Sequence, residues 1–138
     1  MRIVRRGQGA AGTPAEQRSA TFTGLVYADP LGGADGATFA SVFFGPGART
    51  YWHWHEHGQL LHVLTGRGWV CTRGETAEPL YPGDIVWVPP GEQHWHGAGP
   101  DSVMAHLAVS LGATSWLEEV TAADYGTACG CQSAAARA

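Results

Sequence analysis

At 138 residues and 44% hydrophobic composition, the chain has material for one domain with one buried core and no room for a second. Its 12 acidic side chains outnumber 8 basic ones, for a formal net charge of −4, so a phosphate backbone is a poor match and nucleic acid is excluded as the main partner. Every basic side chain is Arg, which removes Schiff-base chemistry and a P-loop lysine, and with no Asn in the chain any amide ligand must be Gln.

In chain order, Met1 to Arg6 is basic but runs into Gly7-Gln8-Gly9-Ala10-Ala11-Gly12 instead of an apolar stretch. Neither a signal peptide nor a membrane span is supported, and a cytoplasmic protein is expected. Residues 1–20 read as a lead-in arm, 21–126 as the folded domain and 127–138 as an Ala-rich tail. Within the domain, short apolar runs separated by Gly and Pro turns predict an all-β jelly-roll barrel with strands over 22–28, 38–44, 50–55, 59–64, 68–72, 85–88, 93–96 and 104–110. Thr121-Ala122-Ala123-Asp124 has the spacing of a helix N-cap with an acidic third residue, so a short helix closes the barrel near its C-terminal end. The odd cysteine count (Cys71, Cys129, Cys131) argues against a disulfide framework, and Cys129-Gly130-Cys131 reads as tail.

All seven histidines lie between His53 and His106. On a strand, residues two apart share a face, so His53 and His55 aim two imidazoles into one interior while Trp52 and Trp54 face the other way. Glu56-His57-Gly58 then turns the chain, Gln59 opens the next strand beside the imidazoles, and His94 joins them if the segment after Pro89-Pro90-Gly91 crosses the barrel mouth. His57, in a turn, and His62, in an alternating strand, are better explained by solvation and packing than by ligation.

The spacing is specific. Gly47, His53, His55, Gln59 and Gly66 match the first cupin motif, and Gly83, Pro89, Gly91 and His94 match the second, with Ala98 where that motif commonly ends in Asn. The wider pattern resembles the small bacterial cupins that act as manganese-dependent hydroxynitrile lyases. It does so through Ala40-Ser41-Val42, Pro46-Gly47-Ala48-Arg49-Thr50, Pro82-Gly83-Asp84, His94-Trp95-His96-Gly97-Ala98 and His106-Leu107-Ala108. The resemblance implies one divalent ion, Mn before Fe, Co, Ni or Zn, on His53, His55, Gln59 and His94. It also implies His96 and His106 close to a small-molecule substrate, and a pocket wall of Ala40, Val42, Tyr51 and Ser110. Tyr51 and Trp54 are bulkier than expected beside the ligands, and Ser110 stands where those lyases carry Gln.

Three imidazoles and one amide are neutral donors, so an ion they hold keeps its full charge and acts as a strong Lewis acid. Cyanohydrin cleavage then needs a base, and His106 or His96 is the candidate because an imidazole titrates near neutral pH. The alternatives are an Fe or Mn dioxygenase acting on a small diketone or catechol, and a non-catalytic small-ligand-binding cupin. Trp52, Trp54 and Trp95 alternate with the histidines and so face outward, which predicts a homodimer that covers them, with Ile3 and Val4 adding a strand to the partner. Coverage by the chain's own Trp116 segment is the competing expectation. Phe39, Phe43 and Trp87 read as barrel core or pocket wall.

Overall fold

The computed structural model describes residues 1–4 and 16–130. Thirteen strands and one helix follow in order: β1 (Glu16–Arg18), β2 (Phe22–Thr23), β3 (Val26–Ala34), β4 (Ala37–Phe44), β5 (Arg49–Thr50), β6 (His53–His55), β7 (Gln59–Gly66), β8 (Gly68–Thr72), β9 (Glu78–Leu80), β10 (Ile85–Val88), β11 (His94–Ala98), β12 (Met104–Leu111), β13 (Thr114–Trp116) and α1 (Ala122–Cys129). They form two antiparallel sheets. One runs β1-β3-β4-β12-β7-β10; the other runs β13-β6-β11-β5-β2, with β8 also paired to β11 and β9 to β8.

The sheets face each other across a core of Val26, Val42, Phe44, Ala48, Val63, Leu80, Ala98 and Met104. Strand alternation selects this set: on β4, Val42 and Phe44 point in while Phe43 between them is exposed. Full burial of a side chain such as Phe44 or Met104 contributes roughly 1.5–3 kcal/mol. This core fills one end of the barrel and leaves the other end to the histidines.

Several expected strands divide. The run expected from Phe22 to Ala28 breaks at Gly24, whose φ of 83° and contact with Ala48, 2.9 Å from any added Cβ, demand glycine. The run from Thr50 to His55 breaks at Tyr51 and Trp52, where the backbone turns to pair elsewhere: Tyr51 N donates to Thr21 O (2.9 Å) and Trp52 N to Glu118 O (3.0 Å). Strands β1, β9 and β13 were not expected. Glu16-Gln17-Arg18 lacks an apolar face, and Pro79 argues against a strand, yet β9 is an edge strand where a missing N–H costs nothing. β1 falls within the expected lead-in arm, and α1 extends past the expected start of the tail. The rest of both segments, residues 5–15 and 131–138 with Cys131 among them, lies outside the described residues.

The helix forms as its cap predicts: Asp124 N donates to Thr121 Oγ1 at 3.1 Å, and Gly130 ends it in the left-handed conformation. Its buried face carries Tyr125 onto the outside of the second sheet, where Trp52, Trp95, Val120 and Tyr125 form a second core packed by Leu117 and Ala128. Tyr125 donates its hydroxyl to Ala98 O (2.7 Å), and Arg49 lies over the Tyr125 ring while donating twice to Val120 O. The chain's own C-terminal segment therefore covers Trp52 and Trp95, so these indoles do not call for a partner. The covering comes from Leu117 to α1, whereas Trp116 itself is 41% exposed and packs on Phe22. Residues 1–4 form no strand. Two more expectations reverse: Phe43 and Trp87 point outward, 37% and 52% exposed, because each alternates with an inward neighbour on its strand. Cys129 is disulfide-bonded, against the expectation from the cysteine count, while Cys71 is a free thiol.

Trp95→Ala is expected to cost about 3–5 kcal/mol, because it empties the space between the second sheet and α1. Urea denaturation measures it, and a loss below about 1 kcal/mol would contradict the packing described.

Candidate metal centre

Four strands deliver the polar interior. His53 and His55 share one face of β6, His94 and His96 share one face of β11, and His94 pairs directly with His53 across the two strands. Gln59 opens β7 after a turn that only glycine can make. Gly58 has φ 99°, and a Cβ there would sit 2.7 Å from both the Trp87 ring and Val88 O. His106 comes from β12 in the facing sheet. All six side chains are buried, His94 and His106 completely.

The rings converge. His53 lies 5.1 Å from His55, 4.3 Å from His94 and 5.2 Å from His96 between ring centroids, and His55 lies 5.7 Å from His94. Ligand atoms of His53, His94 and His96 all fall within 4.8 Å of one another, a group that could hold a metal ion. The sequence motifs place His55 and Gln59 beside His53 and His94, and the resemblance places His96 near the substrate. The structure brings all five side chains to one place, so His53 and His94 belong to either grouping.

Hydrogen bonds decide which nitrogen faces the centre. His53 Nδ1 is 2.9 Å from Tyr51 O and His94 Nδ1 is 2.9 Å from Glu92 O. A carbonyl oxygen only accepts, so both rings carry their proton on Nδ1 and turn a bare Nε2 lone pair inward. His55 Nδ1 is 2.9 Å from Thr114 Oγ1, and its buried Nε2 has no hydrogen-bond partner among the described residues. His94 Nε2 faces Gln59 Oε1 at 3.0 Å, which sets a lone pair against an acceptor. A cation between such atoms would satisfy both, and this donor set of imidazole nitrogen and amide oxygen suits a divalent transition metal.

Burial is the first cause of depressed basicity throughout. It pushes His53 and His96 well below the ordinary imidazole value of 6.5, with the neighbouring histidines adding to the effect, and lowers His94. His55 and His106 fall to about 4. The imidazoles are therefore neutral at pH 7, the form that binds metal. His96 and His106 form a pair of their own, Nδ1 to Nε2 at 2.9 Å, and their outer nitrogens, His96 Nε2 and His106 Nδ1, have no hydrogen-bond partner among the described residues.

A cavity of about 480 Å³ opens onto these groups, walled by Ala40, Val42, Ala108, Ser110, Thr114 and Trp116 among others, with Gln17 to Phe22 at its mouth. Tyr51, expected in that wall, is not part of it and serves through its backbone carbonyl on His53 instead. His57 is exposed in its turn, 3.3 Å from Glu56, and His62 points away from the barrel. Thr114 and the mouth segment were missed, because a three-residue edge strand leaves no alternation to read. Trp116, read as a packing anchor, stacks on His53 at 4.6 Å.

Because the folded-state imidazoles titrate below 6.5, the unfolded chain binds protons first as pH falls. Stability of metal-free protein is then full above about 6.5 and declines as pH drops below it, with the part due to His55 and His106 levelling off below about 4 as they protonate in the folded state too. Thermal melts across this range check it, and a melting temperature unchanged between about pH 7 and 5 would contradict it.

The chain is similar to known proteins in sequence and fold. Residues 40–110 match the family model described as a cupin domain. The chain is 46% identical over 133 residues, 91% of its length and 98% of the relative's, to a protein of Granulicella tundricola named (R)-mandelonitrile lyase. It is 36% identical over 72 residues, 49% of this chain and 34% of the other, to an acireductone dioxygenase of Gluconobacter oxydans. Among solved structures, a cupin-like protein from Thermotoga maritima superposes with a TM-score of 0.78 at 40% identity, over 81% of this chain and 91% of that one. With the histidines of both sequence motifs on paired strands of one barrel, and a relative of nearly half identity along almost the whole chain, this protein belongs to the cupin family.

Proposed function

We propose that this chain is a divalent-metal lyase of the hydroxynitrile-lyase type, cleaving and forming cyanohydrins. His53, His55, Gln59 and His94 hold one ion, Mn in first place, and the His96–His106 pair handles the proton. The observation that carries the reading is the fixed orientation of the imidazoles: His53 and His94 are locked by backbone carbonyls with Nε2 inward, and His55 is held through Thr114. His96 differs because its Nδ1 is tied to another titratable ring, a better arrangement for passing a proton than for gripping an ion. The likeness to a protein named (R)-mandelonitrile lyase supports the same reaction class.

When bound, the ion supplies Lewis acidity that favours negative charge on the substrate oxygen. The residues do the rest. His96 takes the cyanohydrin hydroxyl proton at Nε2, and its Nδ1 proton passes to His106 Nε2 across the 2.9 Å contact. The C–CN bond breaks with its electron pair leaving as cyanide, the carbonyl product forms, and the proton returns to give HCN. Ala40, Val42 and Ala108 give the substrate's organic group a dry, narrow wall, and Ser110 is a polar point on it.

Mandelonitrile with the purified protein tests this. Metal-dependent cyanide release is expected, with His96→Ala slowing it by about a hundredfold or more while retaining metal, and His55→Ala losing metal. Absent release, or undiminished release by both His96→Ala and His106→Ala, would overturn it. The partial likeness to an acireductone dioxygenase favours a second reading, oxygen-dependent cleavage at the same ion, and oxygen uptake separates the two.

A homodimer belongs to this proposal on new grounds. Tyr27, Phe43, Ile85 and Trp87 are exposed on the outer face of the first sheet. Sedimentation of the wild type as a dimer and of Trp87→Glu as a monomer is expected; a wild-type monomer at micromolar concentration would remove it.

A further inference from the structure

The cavity over the histidines carries a fixed charge at its mouth alone. Its apolar wall includes Ala28, Ala40, Val42 and Ala108, and no acidic side chain lines it among the described residues. Arg18 stands at the mouth, the one side chain of the lining that is cationic at every physiological pH. Beside it Ser19 and Thr21 complete a polar rim.

Strand register puts the charge there. β1 pairs with β3 so that Arg18 stands opposite Val26 and Glu16 opposite Ala28, and directly opposed residues share one face of a sheet. Val26 and Ala28 are both buried on the inner face. The edge strand therefore turns its two charges toward the barrel, and of the two only Arg18 lines the cavity. Its tie to Glu16 is loose: one guanidinium nitrogen lies 3.5 Å from a carboxylate oxygen, with both side chains nearly half exposed. Charge-assisted contacts of full strength close to about 2.7–2.9 Å, and an exposed pair is worth little, so most of the guanidinium's donors remain for a ligand.

We propose that Arg18 is a specificity-determining residue that selects substrates bearing a carboxylate at the end remote from the reacting carbon, an inference that rests on this cavity being the substrate site of the proposed reaction. A substrate with its oxygen among the histidines and its body along the alanine and valine wall has its far end at the mouth. There the guanidinium offers parallel N–H groups to both oxygens of a carboxylate, and its single charge balances a monoanion better than a phosphate dianion. Partial exposure suits the task, because the charge stays solvated while the site is empty and the pair strengthens when a ligand displaces water from the mouth. A volume of about 480 Å³ lies in the range that encloses ligands of this length. An inward charge on an edge strand also discourages pairing with another chain, but Glu16 supplies that without lining the cavity.

Calorimetric titration of the Mn(II)-loaded protein with benzaldehyde and 4-carboxybenzaldehyde, carbonyl products of the proposed cleavage, tests the idea without any assay of turnover. In the wild type the carboxylate is expected to bind about tenfold more tightly than the neutral aldehyde. In Arg18→Gln that preference is expected to fall below about twofold, with the loss confined to the carboxylate. Glu16→Gln, which releases the guanidinium, should widen the preference, and a narrowed one would count against the proposal. A preference that survives in Arg18→Gln would mean that the carboxylate binds the ion directly, and would overturn it. So would equal affinities in the wild type, which would leave the charges of β1 to guarding the sheet edge. If neither aldehyde binds, the cavity is not the substrate site and the lyase reading falls as well. If both bind with the expected preference while mandelonitrile releases no cyanide, only the lyase reading falls and Arg18 keeps its role. Thermal melts of each variant verify folding before titration.

Discussion

A neutral imidazole buried away from water has one N–H and one lone pair, and the fold must find a use for each. Here the N–H groups of His53 and His94 are spent on backbone carbonyls two residues earlier in the chain, Tyr51 O and Glu92 O. That local geometry forces the lone pairs to the interior, and among the described residues no hydrogen-bond donor meets His55 Nε2. The rest of the barrel is arranged around this unspent acceptor capacity. Burial keeps the rings uncharged, so they cannot relieve it by taking protons near neutral pH.

The second sheet shows what that interior requires of the exterior. Alternation that sends His53, His55, His94 and His96 inward sends Trp52 and Trp95 outward, and the chain buries these indoles under α1 and its lead-in. Arg49 joins the two layers. From a strand between the mouth and the helix it grips Val120 O and stacks on Tyr125, whose hydroxyl returns to Ala98 at the end of the histidine strand. Loosening the helix would therefore disturb β11, and with it the placing of His94 and His96.

Legibility in the sequence followed the strength of local signals. β8 and β10 stand at the bounds that their apolar runs and flanking turns indicate, and the helix begins at the cap read from Thr121 and Asp124. The spacing of His53, His55, Gln59 and His94 was enough to expect them together, because strand alternation and one glycine turn relate the first three at short range. What escaped was decided by tertiary contact. Thr114 holds His55 from an edge strand of three residues, Tyr51 acts through a backbone atom that any residue would supply, and the partner of the outward indoles was a helix distant in sequence. Ser110 was visible as a departure from the resembling lyases, but its contact with Gln59 needed the register of β12 on β7.

The interior thus holds two kinds of imidazole, distinguished by the partner of the hydrogen-bonded nitrogen. His53 and His94 lean on carbonyl oxygens that cannot change role, and His55 on a hydroxyl, so their inner nitrogens are static acceptors suited to an ion. His96 and His106 lean on each other, and which ring holds the hydrogen between them depends on the tautomer. Gaining a proton at one outer nitrogen shifts the shared one and prepares the other outer nitrogen to lose it, without a net charge having to stay on either fully buried ring for long. In the function proposed here, static and mobile lone pairs side by side, within 4.8 Å where His53, His94 and His96 meet, would hold charge at one atom while a proton leaves its neighbour.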